Sequence, residues 1–109
     1  MIQACKYNSA NIGATLKSYV NLPSGNEFQL TKAIAQIGPI ACSIDATDKN
    51  FRFYSNGIYN GVFNTSTPCS PFNLNHAVTI IGYGGTGNGS FYIGKNSWGT
   101  GWGQNGLVK

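Results

Sequence analysis

The sequence predicts an α+β fold built on antiparallel strands, and three stretches carry that expectation. "SGNEFQLTKAIAQIGP" shows helical spacing between a cap and a stop. "IACSIDA" alternates cleanly. "HAVTIIGYG" and "GSFYIGKN" read as two strands joined across a short glycine-rich turn. A helix followed by strands that return as a hairpin suits helix packing on one face of an antiparallel sheet.

In chain order, residues 14–20, "ATLKSYV", alternate enough to predict a first strand, which Pro23 and Ser24 end. Ser24 is the expected N-cap of the helix, with Glu27 three residues later completing a capping box. Leu30, Ala33, Ile34 and Ile37 recur at helical spacing and Gly38-Pro39 stops the run, so a helix is expected over residues 25–37. In "IACSIDA", Ile40, Cys42 and Ile44 face one side and Ala41, Ser43 and Asp45 the other. Cys42 is then a small core hydrophobe. Residues 50–72 are expected to be loop, punctuated by Asn56-Gly57, Asn60-Gly61, Pro68 and Pro71. The aromatic mass of "FRFYSNGIY" predicts that this loop packs down and is ordered.

The hairpin turn, "GTGN", centres near Thr86. That centre pairs Gly82 with Ser90, Ile80 with Tyr92, Val78 with Gly94 and His76 with Asn96.

Composition narrows the function. The chain has 109 residues, with 41% hydrophobic residues, which suits one globular domain with no internal boundary. The net charge of +4 comes from scattered lysines without a basic run, so no nucleic-acid partner is expected. No apolar stretch is long enough to cross a bilayer, and "MIQACKYNSAN" has no signal-peptide pattern. Asn64-Thr65-Ser66 and Asn88-Gly89-Ser90 have the form of N-glycosylation acceptors. The three cysteines, Cys5, Cys42 and Cys69, are an odd number and show no C-x-x-C spacing. With one histidine they make a poor metal set, so neither a metal nor a cofactor is expected.

That histidine, His76, is the centre of interest. In the predicted register its side chain lies beside Asn96, with opposed Cβ atoms about 4.5–5.5 Å apart. An amide carbonyl accepting from one imidazole nitrogen would fix the tautomer and aim the other nitrogen outward. A histidine oriented in this way is two-thirds of a nucleophilic triad. A purely structural hairpin-end histidine has the same local pattern. The following segment, "KNSWGTGWGQNG", carries Trp98 and Trp102 among glycines; it fits a bend that folds the indoles back onto the sheet, or a stacking platform for sugars or bases.

"NHAVTIIGYG" followed by "KNSWGTGWGQNG" closely resembles the histidine and asparagine segments of the papain family of cysteine proteases, most of all its cathepsin L-type members. "ACKYN", "GPIACSIDA" and "FRFYSNGIY" extend the resemblance over essentially the whole chain. It implies the β-rich, antiparallel, barrel-like right-hand domain of a papain-like fold with one short helix, incomplete because the helical left-hand domain and the last strand are absent. It also implies that His76 and Asn96 are catalytic, and that Trp98 shields their hydrogen bond and walls the leaving-group side. Ser43, Leu74 and Ala77 match positions lining the pocket for the substrate residue that precedes the scissile one. Asn75 stands where many members carry Asp. Its main chain is the expected contact to substrate backbone, so the change should alter pH response more than chemistry.

The nucleophile of this family stands in a C-G-[SA]-C-[WY] segment about 130–150 residues before the histidine. The contexts here, "ACKYN", "ACSID" and "PCSPF", lack that signature, and His76 lies too early in the chain. The resemblance therefore implies a cysteine endopeptidase whose thiolate lies outside this chain, which alone would be inactive. It pairs Cys5 and Cys69 with cysteines elsewhere and leaves Cys42 free. The implied partners are a peptide or protein substrate, the N-terminal helical domain of the same protein, and a propeptide or cystatin-type inhibitor, with no nucleic acid and no membrane. The implied location is the lysosome, another acidic vacuole, or outside the cell. Two other functions fit parts of the sequence: a non-catalytic papain-fold relative acting in binding or assembly, and a carbohydrate-binding module using Trp98 and Trp102.

Overall fold

A computed structural model describes residues 4–61 and 69–109. Asn64 and Pro68 lie outside the described residues. Four antiparallel strands form one sheet in sequence order: β1 (Ile40–Ile44), β2 (His76–Gly84), β3 (Phe91–Lys95) and β4 (Leu107–Val108). Helix α1 (Glu27–Gln36) packs across β1 and β2. The α+β class and the antiparallel pairing are as expected, and among the described residues the sheet is open rather than closed into a barrel.

The core is small. Ile34 of α1 meets Val78 and Ile80 of β2, and Leu30, Ile40, Cys42, Ile44 and Tyr92 pack around them. Ile40, Cys42 and Ile44 are the more buried set of β1, as its alternation predicts. Tyr92 also ties β3 to α1. Its hydroxyl lies 3.0 Å from Thr31 Oγ1 and 3.2 Å from the Glu27 carbonyl, to which it donates.

Several expectations are corrected. Residues 14–20 form no strand; they are exposed and pair with nothing in the sheet. Alternation alone does not make a strand without a neighbouring ladder. Ser24 is not the helix cap. Asn26 Oδ1 accepts from the Gln29 amide at 3.0 Å, which makes Glu27 the first helical residue and excludes it from the third position of a capping box. The helix ends as expected, with the Ile37 and Gly38 amides both donating to Ala33 O and Gly38 at φ 121°. The strand from "IACSIDA" stops at Ile44. The loop over residues 50–72 contains a helical turn, α2 (Lys49–Arg52), capped by Asp48 Oδ1 accepting from the Asn50 amide at 3.0 Å. The single expected helix is thus joined by a second.

The hairpin register also differs. Gly82 meets Ile93 instead of Ser90, and Ile80 meets Gly94 instead of Tyr92. A 3₁₀ turn at Gly87–Gly89 moves the tip further along the chain, so the turn centres between Gly87 and Asn88. A β-bulge between Ile80 and Gly82 then takes one residue out of the pairing.

Candidate active site

His76 opens β2, and Asn96 follows directly on β3. Continuing the Ile80–Gly94 register places Asn96 opposite Val78, one pleat from the predicted partner. A two-residue slip keeps every side chain on its face, so Asn96 becomes the diagonal neighbour of His76, within reach of a polar side chain. Asn96 Oδ1 lies 2.8 Å from His76 Nε2.

The roles in this bond follow from a second donor. The Ser97 amide also donates to Asn96 Oδ1, at 2.8 Å. A flipped side chain would set an NH₂ against that N–H, so the carbonyl oxygen must face both groups. Nε2 of His76 is then the protonated nitrogen, and no hydrogen bond engages Nδ1 among the described residues. Nδ1 is the nitrogen left to accept a proton. Asn96 is only 7% exposed, and the Asn96 amide donates to Gly106 O at 3.0 Å. Its Nδ2 has no partner among the described residues. A buried orphan donor costs about 1–3 kcal/mol, a cost that the two bonds at Oδ1 offset.

Trp98 lies against the imidazole, with ring centroids 4.9 Å apart and planes tilted by 34°. Trp102 stands edge-on to Trp98 at 5.3 Å, and its Nε1 donates to Arg52 O at 3.0 Å. Phe51 completes the shelf below both rings. Sequence reasoning noted the aromatic run but did not bring it to His76. The signal was a cap residue, Asp48, three positions before a phenylalanine, which marks a helical turn able to aim that ring inward.

The other candidate residues are less concentrated. Ser43 sits directly opposite Ala77 across the β1–β2 ladder, while Ile44 pairs with His76. Alternation puts Ser43 and Ala77 on the face away from the imidazole. Leu74 is exposed and, with Ser43, lines an open cleft of about 940 Å³. The Asn75 side chain turns toward the loop after β1. Its Oδ1 accepts from the Ala46 amide at 2.9 Å, and its Nδ2 donates to Thr47 Oγ1 at 2.7 Å. Asp45 joins this clasp, accepting from the Ser70 amide at 2.9 Å and the Thr47 amide at 3.0 Å. Thr47's side chain above all, and then the two amides, hold the Asp45 carboxyl below the usual carboxylate range.

No cysteine shares a hydrogen bond with His76 among the described residues. Cys42 packs against the core, where burial pushes its thiol pKa up, the reverse of what a nucleophile needs. Cys5 and Cys69 are exposed and unpaired, and Cys69 Sγ lies 3.7 Å from the Tyr59 hydroxyl. No group of His, Cys, Asp and Glu among the described residues could hold a metal ion.

Comparison with known proteins gives a consistent set of relatives. The sequence profile for papain family cysteine protease matches residues 2–109. Cathepsin L of Sarcophaga peregrina is 41% identical over 107 residues, covering 97% of this chain and 30% of that protein. Digestive cysteine proteinase 2 of Homarus americanus is 42% identical over 106 residues, covering 97% of this chain and 31% of that protein. The structure of digestive procathepsin L 3 from Tenebrio molitor larval midgut superposes with a TM-score of 0.75 at 45% identity, over 95% of this chain and 32% of that one. The bromelain protease from Ananas comosus, in complex with the E64 inhibitor, superposes at 0.63 with 42% identity, over 79% of this chain and 36% of that one. The chain thus spans about 30% of the length of the curated relatives it matches.

Proposed function

Because this chain belongs to the papain family of cysteine proteases, we propose that it supplies the histidine and asparagine half of a peptide-hydrolysing centre. Its nucleophilic thiolate would come from a part of the protein outside residues 1–109. In this proposal the chain is the C-terminal, β-rich part of the peptidase domain, working against an N-terminal helical part that carries the cysteine.

One observation carries the reading. Asn96 Oδ1, held by the Ser97 amide, accepts from His76 Nε2 at 2.8 Å and leaves Nδ1 free to act as a base. Nδ1 takes the cysteine proton, giving a thiolate–imidazolium pair. The thiolate attacks the peptide carbonyl, and the imidazolium returns its proton to the leaving amine. The acyl-enzyme is then opened by water that His76 activates. Asn96 keeps the ring in one tautomer throughout, and Trp98 limits water at the His76–Asn96 bond.

On the substrate side, the proposal keeps Leu74, Ser43 and Ala77 as one wall of a pocket and the Asn75 main chain as a backbone contact. Similarity to a procathepsin supports a propeptide as one partner; a cystatin-type inhibitor, and a lysosomal, vacuolar or secreted location, are proposed with it. Cys5 and Cys69, both exposed, are proposed to form disulfides with cysteines outside the chain.

The purified 109-residue chain is expected to show no hydrolysis of an apolar–Arg peptide substrate. The parent protein is expected to cleave it and to lose activity in His76→Ala. Cleavage by the chain alone, abolished by His76→Ala, would place the nucleophile inside it and sink the proposal. A parent protein that binds peptides and cleaves none would favour the non-catalytic alternative.

A further inference from the structure

Phe51 is the one large side chain fully buried among the described residues, at 2% exposure, yet it is absent from the sheet core of Ile34, Val78 and Ile80. Its ring meets four aromatic groups instead. Trp102 lies 5.2 Å away at 52°, Tyr59 5.4 Å at 66°, Trp98 5.6 Å at 69°, and His76 6.1 Å at 65°. Trp98 itself is 42% exposed. Its indole has His76 and Phe51 on the protein side and solvent beyond.

The turn that carries Phe51 is tied from several directions. Asp48 caps it and accepts from the Tyr59 hydroxyl at 3.0 Å. Trp102 Nε1 holds the Arg52 carbonyl at its end, and the Gly103 amide donates to Tyr54 O at 3.2 Å. Phe51 cannot move without disturbing the segment that carries both tryptophans.

We propose that Phe51 is a positioning residue, which acts through Trp98 to keep the indole over His76 and water off the His76–Asn96 hydrogen bond. Edge-to-face contacts are directional, so an aliphatic side chain of similar volume fills the space without fixing the indole's angle. The inference rests on His76 being the general base. Its readouts, however, need no nucleophile, so it can fail or hold independently of peptidase activity.

The test uses the 109-residue chain, whose single histidine gives unambiguous signals. In the wild type, nuclear Overhauser contacts are expected from the Phe51 ring to both Trp98 and His76; their absence overturns the proposal outright. Protonated imidazole against an indole quenches its emission, so titrating His76 is expected to change tryptophan fluorescence. In Phe51→Leu that amplitude is expected to fall to about half or less, and the His76 Nε2 proton to exchange about tenfold faster. Ile34→Val, which loosens the sheet core instead, is expected to leave both readouts within about twofold of wild type. Phe51→Met is the milder variant to read if Phe51→Leu does not fold. A folded Phe51 variant with wild-type amplitude and exchange refutes the proposal, as does an equal loss in Ile34→Val.

Discussion

Residues 4–25 and residues 49–59 are both rich in apolar and aromatic side chains, and they end in opposite states. In the first segment Leu16 and Val20 remain 89% and 88% exposed, and no strand pairs with them. In the second, Phe51 is buried among four rings, and Tyr54 becomes a junction. The Tyr54 hydroxyl donates to Gly57 O at 2.6 Å and accepts from Gln104 Nε2 at 3.2 Å and the Lys109 amide at 3.4 Å. The difference lies in partners, not in composition. The second segment meets a glycine-rich stretch whose backbone can approach closely. At Gly103 a Cβ would strike Leu107 O and crowd the Tyr54 ring, and its φ of 59° lies in the left-handed region that favours glycine.

The most severe way to break this contrast is to truncate one residue in each segment. Phe51→Ala is expected to cost about 3–5 kcal/mol, because it empties a fully packed site. Leu16→Ala is expected to stay within about 0.5 kcal/mol of wild type. Urea unfolding followed by tryptophan emission measures both, and similar costs would mean that the first segment packs against something. Next in size, Asn96→Ala removes the acceptor shared by His76 and the Ser97 amide. It also removes the orphan Nδ2, so its stability cost is expected to be at the low end of about 1–3 kcal/mol. In the proposed parent enzyme it is expected to lower kcat with KM little changed, since in that proposal it acts on the base and not on the pocket. A change in KM alone would give Asn96 a different task.

The hairpin shows how much of this site was legible. Strand positions, the antiparallel return and the His76–Asn96 pairing all follow from alternation and from the turn signal. The register does not. The turn's 3₁₀ geometry shifts Gly82 three residues along its partner, from Ser90 to Ile93, which alone would put Asn96 on the wrong face. The bulge between Ile80 and Gly82 takes back one, leaving a slip of two from Tyr92 to Gly94 and restoring the face. Sequence reasoning reached the right contact because parity survived, not because it saw the bulge. Phe51 was hidden for another reason: the Asp48 cap signals the helical turn that carries it, but not the rings it meets. Its role depends on residues 98–103 folding back across α2, a long-range contact that no local pattern encodes. Residues 14–20 failed in the converse way, with a strand's local pattern and no ladder to join.

A smaller test sharpens the comparison at the end of the first segment. Asn26, not Ser24, caps α1, so Asn26→Ala is expected to cost about 1 kcal/mol and Ser24→Ala almost nothing. Equal costs would bring back the capping box that Glu27's position excludes.

The smallest expected effect concerns the clasp at Asp45, which lies at the surface. Its carboxylate accepts from the Thr47 and Ser70 amides and lies 3.4 Å from Asn75 Nδ2, so it joins the loop after β1 to the segment leading into His76. The Thr47 side chain above all, and then those amides, favour the ionised form and hold its pKa below the ordinary value near 3.9. A group whose folded pKa is depressed stabilises the fold above the unfolded pKa. It loses that contribution as pH falls through about 4 toward the lower folded value. Wild type is therefore expected to lose protection of the Thr47 and Ser70 amides on acidification in that window. Asp45→Asn, already uncharged, is expected to show weaker protection at neutral pH and a flatter acid limb. Amides in β2 and β3 are expected to respond to neither change, and residues 14–20 to be unprotected at every pH. Salt is expected to have little effect, because the contacts are hydrogen bonds to amides and not to a charged partner. Hydrogen exchange read residue by residue decides it: an acid limb for Ser70 unchanged by Asp45→Asn would mean that another group holds the approach to His76.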